Sequence, residues 1–169
     1  MRTLTFALAL AGALFLGGAA AQEGEVVEIR MVTEGGAFYF DPIGVRVEPG
    51  TTLRFVATTA GHNAVAYAEA NGLPARIPEG AEAWASPILT EIGASFDVVV
   101  TEEGVYDYVC TPHEALGMVG RIVVGDPAAF PARDGGELAF PAAADALPSV
   151  EAILADDDGR LTWQEATGN

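Results

Sequence analysis

Short runs of β-branched or alternating residues recur along the first 125 residues of the 169-residue chain, and they restrict the folds open to it. Each run has the pattern of a strand that is buried on one or both faces. The runs lie at 26–32, 43–50, 52–58, 95–101, 105–110 and 120–125. Turn residues such as Pro49-Gly50 and Gly104 separate them. Many short strands at this spacing predict an all-β chain that folds as an antiparallel sandwich or barrel.

The segment 69–93 interrupts this series because it lacks the alternation of a strand. Its length and composition predict a long excursion over the sheet, with a helical turn around 81–85.

Beyond Gly125 the sequence becomes rich in alanine, proline and glycine, which is typical of an extended arm and not of a second core. Near its end, Ser149 precedes a run in which Val150, Ile153 and Leu154 share one helical face. The pattern predicts a short helix that begins at Ser149 and packs on the sandwich.

An acidic stretch follows this helix and superficially matches a calcium-binding loop through Asp156, Asp158, Gly159 and Glu165. The first ligand position of such a loop would fall on Leu154, and the flanking helix pair is missing. We therefore do not expect calcium to bind there.

The N-terminal residues have the features of an export signal. Arg2 precedes an apolar run that ends near Leu16, and small residues follow up to position 21. The run is shorter than an ordinary membrane span, which favours a cleaved signal over a retained anchor. We therefore expect a signal peptide at 1–21 and a protein that is exported to the periplasm or the extracellular space.

The charge of the chain is strongly acidic, with 24 Asp and Glu residues against 8 basic ones and a net charge of −16. Such a surface repels nucleic acid. It is compatible with a basic protein partner and equally with solubility in a salty or acidic medium, and charge alone does not separate the two.

The single cysteine, Cys110, has no partner for an internal disulfide. It is therefore an inert buried thiol, an intermolecular link, or a reactive or metal-bound sulfur. His113 and Met118 follow it in one loop, and the only other histidine, His62, follows a predicted strand. Each residue has an ordinary explanation by itself, but together they supply a thiolate, two imidazoles and a thioether. This is the donor set of a type 1, or blue, copper site.

With these residues the chain resembles the cupredoxins, in particular the plastocyanin, pseudoazurin and halocyanin-like group. The resemblance spans about 26–125, and its most specific part is the ligand loop with its C-x2-H and H-x4-M spacings. The matching residues are Gly61, His62 and Asn63, then Tyr106, Tyr108, Cys110, Thr111, Pro112, His113, Gly117, Met118, Val119 and Gly120.

The resemblance implies a cupredoxin-like Greek-key β-sandwich with a copper-binding domain at 22–125. A short C-terminal arm and helix at 126–169 would pack on the sandwich. It also implies one copper ion, with His62, Cys110 and His113 as equatorial ligands and Met118 as the axial ligand. Asn63 would hydrogen-bond to the backbone near Thr111 and so tie the two ligand segments together.

The function that follows is one-electron transfer by a mononuclear type 1 copper protein outside the cytoplasm. The runner-up is a periplasmic copper-binding or copper-delivery protein on the same fold. An enzyme is not expected, because a binuclear copper site needs a second cysteine and a multicopper oxidase needs many more histidines than two. The implied partner is a redox protein such as a cytochrome or a copper or haem reductase, and we expect a monomer that makes transient contacts.

His113 is predicted to reach the surface, because it lies in a loop and not in a strand. Pro112, Ala115, Leu116 and Met118 would form a small apolar patch around it, interrupted by the charge of Glu114. Such a patch around a metal ligand is suited to brief docking and electron exit.

Overall fold

The computed structural model of the protein describes residues 24–126, 128 and 135–168, so the signal peptide predicted at 1–21 lies outside the described residues. The strands are β1 (Val26–Glu34), β2 (Ala37–Asp41), β3 (Gly44–Val47), β4 (Thr51–Ala57), β5 (Val65–Ala66), β6 (Ser95–Val100), β7 (Gly104–Val109), β8 (Val119–Val124) and β9 (Arg160–Leu161). The α-helices are α1 (Pro141–Ala146), α2 (Val150–Ala155) and α3 (Trp163–Thr167), and two 3₁₀ helices lie at Glu69–Asn71 and Thr111–Leu116.

The strands form two sheets, which confirms the all-β prediction. One sheet has the order β2-β1-β4-β6, and the other has the order β5-β7-β8-β3-β9. The sandwich is not purely antiparallel as predicted, because β1 pairs with β4 and β3 pairs with β8 in parallel. In each of these pairs the chain crosses to the other sheet between the two strands, so it returns in the same direction.

Alternating burial along the strands builds the core between the sheets. In β4, Leu53 and Phe55 are fully buried, whereas Arg54 between them points to solvent. The Tyr108 ring from the opposite sheet meets Phe55 edge to face, with the ring centroids 5.2 Å apart. Burial of one such side chain contributes about 1.5–3 kcal/mol.

The segment 69–93 is an excursion as predicted, but the helical turn expected around 81–85 is absent. Trp84 accepts a hydrogen bond from the Ala66 amide through its carbonyl, and Ser86 donates its amide to the Ala64 carbonyl. These contacts hold the segment extended beside β5, which is incompatible with a helical turn.

The predicted C-terminal helix is present as α2, and the Ser149 side chain accepts a hydrogen bond from the Ala152 amide at 3.1 Å. Ile153 is fully buried against Gly44, where a Cβ atom would lie 2.5 Å from the isoleucine side chain. The predicted apolar face was wrong at Leu154, which is 39% exposed. Of the predicted apolar face, Ile153 therefore packs on the sheet and Leu154 does not.

Carboxylates of the acidic stretch after α2 form local hydrogen bonds with nearby backbone amides. The Asp156 carboxylate accepts from the amides of Asp158 and Arg160, and Glu165 closes a capping box with Thr162 at the start of α3. These backbone contacts lower the pKa of Asp156. Turn and capping chemistry therefore explain this motif.

Among the described residues, we find no helix with the length and apolarity required to cross a membrane.

Candidate metal centre

The candidate ligands come together at one end of the sandwich, where loops leave the strands. His62 follows β4, Cys110 follows β7, His113 lies in the 3₁₀ helix Thr111–Leu116, and Met118 precedes β8. Backbone hydrogen bonds close the loop: the Cys110 amide donates to the Met118 carbonyl at 3.0 Å, and the His113 amide donates to the Cys110 carbonyl at 2.9 Å. Gly117 ends the 3₁₀ helix with a φ of 82°, a conformation that favours glycine.

The Cys110 sulfur faces both imidazoles. Its Sγ atom lies 3.6 Å from Nδ1 of His62 and 3.3 Å from Nδ1 of His113, and the three donor atoms lie within 4.8 Å of one another. Donors that bind one ion at roughly 2.0–2.3 Å are about 3.5 Å apart, so this spacing fits a single metal ion. His62, Cys110 and Met118 are fully buried, and His113 is half-buried.

Two threonine hydroxyls that sequence reasoning missed fix the His62 ring. The Nε2 atom of His62 lies 2.9 Å from Oγ1 of Thr33 and 3.0 Å from Oγ1 of Thr59. An Nε2–H that donates to these oxygens leaves Nδ1 unprotonated and directed at the Cys110 sulfur. Thr33 belongs to β1 and lies far from His62 in the sequence, so no local pattern indicates this role.

The predicted link between the two ligand segments is confirmed. Asn63 accepts a hydrogen bond from the Thr111 amide at 2.8 Å and donates to the Thr111 hydroxyl at 2.9 Å. Both bonds involve the residues next to His62 and Cys110, so they fix the distance between the two ligand segments.

The Phe38 side chain covers His113 on one side. The two rings stack with their centroids 4.2 Å apart and an interplanar angle of 22°. Phe38 lies in β2, which the strand runs of the sequence do not include. The stacking limits rotation of the half-buried imidazole.

The surface around His113 is more apolar than predicted. Pro112, Ala115 and Leu116 are exposed, and Leu116 is 58% exposed. Two predictions were wrong here, because Met118 is buried and Glu114 does not interrupt the patch. The Glu114 carboxylate is turned inward and accepts a hydrogen bond from the Tyr67 hydroxyl at 2.8 Å.

The C-terminal arm also reaches the ligand loop. A Cβ atom at Gly117 would lie 3.1 Å from the Ala142 carbonyl oxygen and 3.3 Å from the Ala146 side chain, both in α1. Helix α1 therefore packs directly against the end of the 3₁₀ helix, and the arm supports the loop as well as the sheet.

Burial sets the protonation of the donors when no metal is bound. It raises the pKa of the Cys110 thiol to about 11. Burial, followed by the nearby His113, lowers the pKa of His62 to about 4, and burial also lowers the pKa of His113. At neutral pH the imidazoles are thus neutral and ready to bind, whereas metal binding must displace the thiol proton.

The metal-free protein should lose stability as the pH falls from 7 to below 4. Unfolded His62 takes up a proton near its ordinary pKa of 6.5, but folded His62 does so only near 4, so acid favours the unfolded state. The shift corresponds to a loss of up to about 3 kcal/mol. Urea denaturation at a series of pH values measures it. The His62→Gln variant is the control and should show a shallower dependence, whereas an equally steep one would contradict the assignment.

The donor set is informative about the metal. A thiolate, two imidazoles and a neighbouring thioether suit a soft or borderline ion such as copper, whereas magnesium and calcium require oxygen donors. In the described ranges, this is the one group of three or more histidine, cysteine or acidic residues with metal-binding geometry.

Comparison with known proteins places this geometry in a family. Residues 27–125 match the model of copper binding proteins of the plastocyanin/azurin family. The chain is 40% identical over 121 residues to a pseudoazurin from Paracoccus pantotrophus, covering 70% of this chain and 77% of that protein. It is 36% identical over 124 residues to a pseudoazurin from Methylorubrum extorquens, covering 72% and 73%. Among solved structures, a pseudoazurin from Sinorhizobium meliloti superposes with a TM-score of 0.57 at 33% identity, covering 71% of this chain and 89% of that one.

The family match, the sandwich and the donor geometry agree with one another. The cupredoxin-like fold inferred from the sequence is confirmed. The chain belongs to the plastocyanin/azurin family of copper-binding proteins, and its cofactor is one copper ion.

Proposed function

We propose that the protein is a mononuclear type 1 copper protein that carries single electrons between redox partners outside the cytoplasm. His62, Cys110 and His113 are the equatorial ligands in this proposal, and Met118 is the axial ligand. The observation that carries the proposal is the convergence of two imidazole nitrogens on one buried thiol, with all three donor atoms within 4.8 Å.

The surroundings of the ligands favour electron transfer because they resist movement. The bound copper supplies the one-electron change, and the residues of the chain keep its coordination the same in both states. Thr33 and Thr59 hold the His62 ring, and Asn63 holds the loop that carries the other ligands. A rigid site reorganises little when its charge changes, which makes transfer fast. Four protein donors leave no open position for a substrate, so we do not propose catalysis at the metal.

The alternative function, copper delivery, requires ligands that a partner can reach. His62, Cys110 and Met118 are fully buried, which supports slow exchange of the metal. Only His113 approaches the surface, and a half-buried imidazole serves electron exit better than transfer of the ion.

The proposed partner is a redox protein such as a cytochrome or a copper or haem reductase, which docks briefly on a monomer. The exposed side chains of Pro112, Ala115 and Leu116 offer a small apolar contact around His113. The charge of −16 attracts a basic partner over longer distances. Transient contacts of this kind use small interfaces.

The proposed location is the periplasm or another compartment outside the cytoplasm. This proposal depends on the export signal predicted at 1–21 and is supported by the sequence similarity to pseudoazurins. The proposed copper-binding domain is 22–125, with 126–169 as its C-terminal extension.

The copper-loaded protein tests this function directly. We expect an intense visible band, a narrow parallel hyperfine splitting in EPR, and a reversible one-electron wave in voltammetry. Copper that binds tightly without the intense band would disprove the type 1 assignment. A band without reversible reduction would favour the delivery function.

Replacing Leu116 by lysine should slow electron exchange with a basic c-type cytochrome by about tenfold, because it places a positive charge in the apolar contact. The visible spectrum should not change. Stopped-flow mixing over a range of ionic strength measures the rate. Leu154→Lys on α2 is the matched control, since it makes the same charge change at another exposed leucine. Equal slowing by both variants would assign the effect to net charge and exclude docking at Leu116.

A further inference from the structure

We propose that Glu114 tunes the copper site, and that its buried carboxylate stabilises the oxidised state and lowers the reduction potential. Tyr67 positions the carboxylate for this role. The inference rests on the proposed function, because it presupposes a copper ion that cycles between two charges beside His113.

Glu114 is placed unusually for an acidic residue. It follows His113 directly in the 3₁₀ helix, and only 8% of its surface is exposed. Its carboxylate accepts a hydrogen bond from the fully buried Tyr67 hydroxyl at 2.8 Å. The sequence suggests a surface charge at this position, but the structure turns the side chain inward.

The Glu114 carboxylate has no ion-pair partner in the part of the chain that the structure describes. Five ion pairs occur among the described residues, and none includes Glu114. A buried carboxylate is costly unless hydrogen bonds and opposite charge compensate it. The Tyr67 hydroxyl supplies the hydrogen bond. A positive ion held by the adjacent His113 supplies the opposite charge.

Tyr67 is well suited to hold the carboxylate. It directly follows β5, and its amide donates to the Asp107 carbonyl on β7, so its backbone is anchored to the sheet. Burial and then the contact with Glu114 raise the pKa of the Tyr67 phenol. The phenol therefore remains protonated and acts as a donor at neutral pH. The hydrogen bond between Tyr67 and Glu114 also fixes the 3₁₀ helix to the segment that follows β5. Asn63 binds the same helix at Thr111.

The electrostatic consequence follows from the charges of the two oxidation states. With the same ligands, the oxidised site carries one more positive charge than the reduced site. A fixed negative charge nearby therefore favours the oxidised state. The interaction is stronger in a buried environment than at the surface, because less water screens it.

The test compares three variants of the copper-loaded protein by voltammetry. Glu114→Gln removes the charge but keeps the shape and an acceptor for Tyr67. Tyr67→Phe keeps the charge but removes the hydrogen bond. Glu91→Gln makes the same charge change at an exposed residue in the turn that follows Leu89, whose backbone pairs with that of His62.

We expect Glu114→Gln to lower the preference for Cu(II) over Cu(I) about tenfold, which raises the potential by about 59 mV. This shift should persist at high salt. Glu91→Gln should shift the potential much less and should lose its shift at high salt. Tyr67→Phe should not raise the potential, because the carboxylate remains. An unchanged or lower potential in Glu114→Gln, or equal shifts in Glu114→Gln and Glu91→Gln, would overturn the proposal.

The visible spectrum separates this inference from the proposed function. If the parent protein has no intense copper–thiolate band, the proposed function fails before any potential is compared. If the parent and the Glu114→Gln variant are both blue and their potentials are the same, only the role of Glu114 is wrong.

Discussion

Substituting Cys110 by serine should abolish the intense visible band of the copper-loaded protein and its narrow hyperfine splitting. The band arises from charge transfer between a thiolate sulfur and Cu(II), and the chain has no second cysteine to replace Cys110. The serine hydroxyl is a harder and less acidic donor than the thiol, and its shorter side chain withdraws from the two imidazoles. We expect complete loss of colour.

Absorption and EPR spectra after copper loading measure the effect, and circular dichroism verifies that the variant is folded. Thr111→Ser is a useful control, since it introduces serine at the adjacent position and keeps the hydroxyl bonded to Asn63. It should remain blue. A blue Cys110→Ser protein would show that the thiolate was assigned wrongly.

The sequence was sufficient to predict most of the sandwich. The six predicted runs correspond to β1, β3, β4, β6, β7 and β8, with bounds that differ by a few residues. These strands could be predicted because the alternation of apolar and polar residues directly indicates a strand that is buried on one face. The strands β5 and β9 have two residues each, too few to show any period, and pairing alone defines them. The parallel pairing of β1 with β4 was also missed, because local patterns do not determine which strands become neighbours.

Some residues of the candidate site could likewise be predicted from the sequence, and others could not. The four proposed ligands could be selected from the sequence because the chain has so few histidines, cysteines and methionines. Thr33, Phe38 and Tyr67 could not, since each lies far in the sequence from the residue of the site that it contacts. The inward orientation of Glu114 depends on Tyr67, 47 residues away. Candidate ligands can thus be proposed from residue types, whereas the contacts that position them are visible only in the fold.

The C-terminal extension has a closer relation to the site than its composition indicates. Its helix α1 contacts Gly117 at the end of the ligand loop. The buried Asp107 links this extension to the sheet through two arginines. Arg76 and Arg121 both donate to the Asp107 carboxylate, and they also donate to the carbonyls of Gly136 and Pro148 on either side of α1.

Replacing Asp107 by alanine should therefore lower the free energy of unfolding by about 3–5 kcal/mol, because it leaves two largely buried guanidinium groups without their anion. Asp97→Ala provides a matched control. Asp97 and Arg54 are cross-strand partners, as are Asp107 and Arg121, and both aspartates accept two hydrogen bonds from the paired arginine. The two sites differ in burial, since the side chain of Asp97 is 42% exposed and that of Asp107 is 2% exposed.

Solvent screening should reduce the cost of Asp97→Ala to about 0–1 kcal/mol. Urea denaturation of the metal-free proteins compares the two variants, and limited proteolysis reports on the extension. Since Arg76 and Arg121 hold the extension only while Asp107 orients them, cleavage within 135–148 should become faster in Asp107→Ala and not in Asp97→Ala. Similar stability losses in the two variants would mean that burial of the Asp107 cluster contributes nothing beyond an ordinary surface pair. Loss of stability without faster cleavage would mean that α1 is held against the ligand loop by its apolar contacts alone.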